Sequence, residues 1–170
     1  MSSYSPSTIA RVADINRGLC VQTTTFLNAT YIGVAQQSLF TVKGVIRIIY
    51  LGIEAITTWS ADATTLKFGF DSSDPAVAAV DLCTASGALT SLARGKRVAV
   101  KGDALATGAL ESANQTVSLG TSPVDVGAEG GTGVLYLTGA GAAQTGATAT
   151  SKVTLLYVPI SEGAYAEALI

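Results

Sequence analysis

Between residues 39 and 160 the sequence breaks into seven short apolar runs, rich in Val, Ile, Thr and Tyr and punctuated by Gly, Asp, Ser or Pro. The runs cover residues 39–42, 45–58, 65–70, 97–100, 116–119, 134–138 and 153–160. β-Branched and aromatic residues bounded by turn formers read as strands. The gaps leave little room for the crossover helices that a parallel α/β fold needs between strands. The expected fold is therefore all-β: an antiparallel β-sandwich or barrel, jelly-roll-like in plan.

Two runs are apolar on both faces. In residues 45–51 the pleat puts Ile46, Ile48 and Tyr50 on one face and Val45, Arg47, Ile49 and Leu51 on the other. In residues 153–158, Val153, Leu155 and Tyr157 stand opposite Thr154, Leu156 and Val158. An exposed strand face is normally polar, so both strands are expected to be covered twice, by a second sheet and by an arm or another subunit. That makes Ile46, Ile48, Tyr50, Leu155 and Tyr157 candidate interface residues.

Residues 1–37 read differently. They are polar, with three threonines at 23–25 and one weak helical pattern over residues 7–17. In that pattern Ile9, Val12, Ala13 and Ile15 share a face, Ser7 suits an N-cap and Gly18 a stop. The expected organisation is an N-terminal arm over 1–37, anchored on what it touches through residues such as Ile9, Val12 and Phe26, and a β domain over 38–170. Within 75–91, Pro75 and Asp74 suit the start of a turn or two of helix. Residues 127–151, mostly Gly, Ala and Thr, read as hairpin loops around one short strand.

Chemistry is narrowed mainly by what is missing. With no His, imidazole bases, Ser-His-Asp and Cys-His pairs and His-containing zinc sites are all excluded. Cys20 and Cys83 are too few for a structural zinc or iron-sulfur site and are expected to be buried, reduced thiols. Only 13% of residues are charged, against about 25% in an ordinary soluble protein. A net charge of −2 and a pI near 5.0 offer no broad basic surface for nucleic acid or anionic membrane. The most apolar run, residues 44–56, contains Arg47 and Glu54 and falls short of the roughly 20 residues a spanning helix needs. The first 15 residues lack a basic opening and an apolar core, so secretion is not expected and synthesis is expected to stay cytosolic. On that route the glycosylation sequons at Asn28 and Asn114 have no meaning. No cofactor, metal or catalytic residue is expected.

Four local motifs have bland readings that outweigh the sharp ones. Gly139-Ala140-Gly141 follows a strand, but Gln144 stands where a dinucleotide turn needs its third glycine. Gly95-Lys96 lacks the hydroxyl residue and first glycine of a phosphate loop, having Arg97 and Thr90 there instead. Asp71-Ser72-Ser73-Asp74 is an oxygen-rich cluster that could hold Ca²⁺, yet these are also the usual turn formers. Arg94, Lys96, Arg97 and Lys101 form a basic cluster that reads first as a solvated strand edge and second as a contact for an acidic protein.

The order of segments resembles that of small virion proteins of tailed bacteriophages that decorate or cement the head. The stretches concerned are LFTVKGVIRIIYLGIEAITT from Leu39, LKFGFDSSDPAVAAVDLC from Leu66, VKGDALATGA from Val100 and KVTLLYVPISEGAYAEA from Lys152. Together they span most of residues 38–168. The resemblance implies a non-enzymatic homo-oligomer, a trimer first of all, that sits on the capsid surface of the virion and reinforces it through contacts with the major capsid protein. The alternatives are a tail, fiber or other virion component, or a carbohydrate-binding module; a sugar-binding module on the virion would need an exposed aromatic platform around Trp59 or a tyrosine.

Overall fold

The computed structural model describes residues 18–32, 36–83, 85–86, 88–100, 108–111 and 124–170. The strands are β1 (Cys20–Leu27), β2 (Gln37–Lys43), β3 (Ile46–Ala55), β4 (Thr64–Ser72), β5 (Val80–Asp81) and β6 (Arg97–Val100). They continue with β7 (Gly108–Glu111), β8 (Val124–Val126), β9 (Thr132–Gly141), β10 (Thr150–Pro159) and β11 (Tyr165–Ala168). A single helical turn, α1 (Asn28–Tyr31), follows β1.

The strands form two antiparallel sheets. The larger runs β1-β10-β3-β6-β7, with β8 also pairing β3; the smaller runs β11-β2-β9-β4-β5. Early strands alternate between the sheets, and late strands insert between them in reverse order, β10 between β1 and β3, β9 between β2 and β4. This interleaving is the double Greek key of a jelly roll. The expected all-β sandwich is present, and among the described residues the sheets stay open without closing into a barrel.

Alternation builds the core. In β10 Val153, Leu155 and Tyr157 turn inward and are buried, as the pleat requires, while Thr154, Leu156 and Val158 remain half-buried outside. From the smaller sheet Phe40, Val42, Leu66, Phe68, Leu135 and Leu137 meet them. The Ala166 amide of β11 donates to the Tyr157 hydroxyl at 3.0 Å, tying one sheet to the other.

Several expectations need correction. The β3 pleat does not alternate evenly, because a bulge shifts its pairing with β10 between Leu156 and Tyr157, leaving Ile49 as the extra residue. Ile46 and Ile48 point inward before the bulge, and Leu51, Ile53 and Ala55 after it; Tyr50 does not share the Ile48 face. The arm expected over residues 1–37 does not hold over 20–32. β1 pairs with β10 along its whole length, and Cys20, Phe26 and Ile32 belong to the core. Residues 1–17, with the expected helix and its anchors Ile9 and Val12, lie outside the described residues, as do residues 116–119. Where helical turns are expected in 75–91, the described residues form one tight turn at Asp74, then β5 and irregular chain. In residues 127–151 the one short strand expected between hairpin loops is present and longer than its apolar run, as the ten-residue β9.

Candidate functional site: the outer face of the larger sheet

Registers within the larger sheet line its outward side chains into rows. Val21 pairs with Leu156, and Leu156 with Tyr50. The next row along is Thr23, Thr154, Gly52 and Ala99, and the next Thr25, Lys152, Glu54 and Arg97. On the opposite flank Val158 lies beside Arg47, which pairs with Asp125. An apolar row is thus framed by polar ones.

The frame is ionic. Arg47 Nε meets Asp125 Oδ1 at 2.7 Å and its Nη2 meets Oδ2 at 2.8 Å, a two-pronged pair on the surface. That hydrogen bond is the largest cause holding the Asp125 carboxyl below its usual range, and it raises the Arg47 guanidinium in turn. At the other end Glu54 accepts from Arg97 at 3.0 Å and lies 3.6 Å from Lys152 Nζ. The Tyr50 ring lies over Gly52: a Cβ there would stand 2.3 Å from the Tyr50 hydroxyl and 3.0 Å from the Ala99 Cβ. The middle row is therefore low and broad, with Tyr50 half-buried and Val21 50% exposed.

The candidate interface residues separate on this geometry. Ile46, Ile48, Leu155, Tyr157 and Phe26 are buried inside one chain and cannot face a partner without unfolding it. Tyr50 lies on the outer face. The residues sequence reasoning missed are Val21 and Leu156; the second stood in plain view as the outward alternate of Leu155, the first was hidden by the arm reading.

Other candidate positions serve the fold. Asp71, Ser72 and Ser73, with Thr41, Thr132, Gly133 and Val134, line a groove of about 200 Å³. There Ser73 donates to the Thr132 carbonyl at 2.8 Å, and Asp74 Oδ1 accepts the Ala76 amide at 2.9 Å, the turn-forming roles expected of such residues. Among the described residues no group of three His, Cys, Asp or Glu could hold a metal ion. The basic cluster does not mark a sheet edge: β6 lies between β3 and β7, and Arg97 is engaged by Glu54. Lys101 lies outside the described residues. Trp59 is buried at 3% exposure, its Nε1 donating to Ser151 Oγ at 3.0 Å. Ser151 in turn donates to Asn28 Oδ1 at 2.7 Å, so the asparagine of that sequon is buried in the core; Asn114 lies outside the described residues.

Gln144 is the loop anchor that the sequence did not announce. Fully enclosed, it donates from Nε2 to the Asp62 carbonyl at 2.8 Å and to Thr64 Oγ1 at 3.2 Å. Its Oε1 lies 2.8 Å from the Ser60 hydroxyl, which also lies 2.7 Å from Asp62 Oδ2. Cys83 is buried against β4, its thiol accepting the Phe68 amide at 3.3 Å, and burial raises its pKa. No disulfide joins it to Cys20, which is also buried.

These features define a jelly-roll sandwich whose distinguishing surface is a flat, polar-framed apolar row. Comparison with known proteins adds little to that. No protein-family model matches the chain and no curated protein does. Among solved structures, a chain from the structure of infectious bursal disease virus, Gx strain, is similar at 13% identity and a TM-score of 0.31. The match covers 86% of this chain and 38% of that one, and at this score it bears no weight on fold or role.

Proposed function

We propose that this chain is a non-enzymatic structural protein of a virion, a decoration or cement protein of the tailed-bacteriophage kind that binds the capsid surface and stabilises the head. Its partners on this reading are the major capsid protein and copies of itself, a trimer being what the resemblance implies, with assembly on the particle after synthesis in the host cytoplasm. The observation that carries the reading is the outer face of the larger sheet. The Val21–Leu156–Tyr50 row, framed by the Arg47–Asp125 pair and by Glu54 with its two cations, has the apolar centre and polar rim of a protein contact. Repeated over a lattice, many such modest contacts act together.

Jelly rolls serve both capsid proteins and lectins, so the fold alone does not choose between them. The burial of Trp59 takes away one of the two aromatic platforms that the carbohydrate-binding alternative allowed and leaves it only a tyrosine. A tail or fiber role differs from head decoration only in place. Imaging of labelled protein on purified particles tests that: label over the head is expected, and label confined to tails overturns the head assignment. Leu156→Glu, which charges the middle of the row without entering the core, is expected to fold as the parent and lose binding to undecorated shells. Unchanged binding would remove this face from the contact.

A further inference from the structure

The two sheets protect their edges unequally. Along β4 the edge is sealed by the irregular chain after β5. The Leu82 and Ser86 amides donate to the Phe68 and Leu66 carbonyls at 2.9 and 2.8 Å. The return bonds are taken by side chains: the Leu66 amide donates to Ser86 Oγ at 3.0 Å and the Phe68 amide to Cys83 Sγ at 3.3 Å. β1 has nothing of this kind. It runs for eight residues (CVQTTTFL), its register with β10 has no bulge, and among the described residues no strand pairs with its other side. From Gly18 to Val42 the sequence contains no Asp, Glu, Lys or Arg. Edge strands are ordinarily guarded by charge, proline, bulges or shortness, and β1 has none of these guards.

Which backbone groups face outward follows from one bond. The Asn28 amide donates to the Ala149 carbonyl at 2.8 Å, one step beyond the Leu27–Thr150 pair. Hydrogen-bonded and non-bonded pairs alternate in an antiparallel ladder, so Cys20, Gln22, Thr24 and Phe26 bond to β10. The N–H and C=O groups of Val21, Thr23, Thr25 and Leu27 therefore point away from the sheet. The same four side chains are exposed on the outer face.

We propose that β1 pairs antiparallel with β1 of a second copy of this chain, about a two-fold axis at Thr24, joining the two larger sheets into one. That register sets Val21 opposite Leu27 and Thr23 opposite Thr25 of the second copy, each pair exchanging two hydrogen bonds. Other antiparallel registers that bring these groups face to face leave at least one of the four without a partner from this set. Among the four outward residues apolar side chains meet apolar ones and threonines meet threonines, and no charge is placed opposite another anywhere along the strand. Among the described residues, five of the eight large hydrophobics that stand exposed lie on this side: Leu19, Val21 and Leu27, with Leu169 and Ile170, the last held to β1 by the Thr24 hydroxyl on its main-chain oxygen. They flank the axis and extend the buried area beyond the strand itself. The contact is independent of whether the protein sits on a shell, and it supplies a dimer where the resemblance implies a trimer.

Sedimentation of the full chain across micromolar concentrations is the first test, with a reversible dimer expected. Thr23→Pro removes an outward N–H without touching a bond to β10, a place where an edge strand tolerates proline. It is expected to weaken the dimer tenfold or more, the effect of losing one to two backbone hydrogen bonds. Thr23→Lys does the same by charge with the backbone intact, and stands in should the proline variant fail to fold. Mixing Thr23→Cys with Thr25→Cys under mild oxidation is expected to cross-link one variant to the other, each alone forming far less. A monomer at every concentration, a trimer, a dimer indifferent to both Thr23 variants, or efficient cross-linking of Thr23→Cys to itself would overturn the proposal. Shell binding is measured separately, so the dimer and the virion reading fail independently.

Discussion

Gly69 and Tyr136 face each other across β4 and β9, and the ring occupies the space where a side chain on Gly69 would go. A Cβ at 69 would stand 2.1 Å from Tyr136 Cζ. Gly69→Ala is therefore expected to destabilise the fold by about 1–3 kcal/mol through overpacking, read by thermal melting. Ile48→Asp should cost more, about 3 kcal/mol or above, because it places an unpaired charge in a buried layer at 7% exposure. Acid acts on other single residues. Hydrogen bonds from Ser60, the Thr145 amide and the Thr145 hydroxyl hold the Asp62 carboxyl below its usual range, and Arg47 does the same for Asp125. A depressed folded-state pKa gives stability that is present above the unfolded value of about 3.9 and lost as pH falls through the folded one. Melting temperature is expected to drop as pH is lowered through and below about 4, and Asp62→Asn to flatten part of that drop.

At the scale of elements, what the sequence made legible depended on how cleanly each strand alternates. β10 was readable because every inward residue from Val153 to Tyr157 is large and apolar. β1 was not: its inward set is Cys20, Gln22, Thr24 and Phe26, half polar, so its period-2 signal cancels and only the polar composition remains. The β3 bulge was equally hidden, since apolar residues on both faces look alike whichever way the pleat runs. The outer-face row suffered from both errors, Val21 being lost with β1 and Tyr50 placed on one face with Ile48. The seal on β4 was invisible for a different reason, being made by side-chain atoms of Ser86 and Cys83 in chain without regular structure. It is nonetheless testable. Ser86→Ala leaves the buried Leu66 amide without its acceptor and is expected to cost about 1–3 kcal/mol, with faster hydrogen exchange at Leu66 than at Phe68. Equal protection at both amides would show that the Ser86 hydroxyl does not hold this edge.

For the whole molecule the question is how far the folded unit reaches toward the N-terminus, and it extends past residue 38 to include β1. Phe26 packs against the Tyr31 ring with centroids 4.9 Å apart, Ile32 is fully buried, and β1 supplies one edge of the larger sheet. A chain beginning at Gln37 loses all of this and opens β10 along its length, so it is expected to unfold or to melt far below the parent. A chain beginning at Gly18 keeps the strands β1 to β11 and the core residues they carry. The two truncations therefore separate roles that the sequence ran together. If residues 1–17, with Ile9, Val12 and Ile15, dock on a neighbouring copy or on the shell, the chain from Gly18 should melt close to the parent and bind undecorated shells more weakly, since those side chains add area only at the contact. Full binding by that chain would take the docking role away from the segment and leave it to the Val21–Leu156–Tyr50 row. Full folding by the chain from Gln37 would instead return the boundary to residue 38 and make β1 an appendage of the sheet.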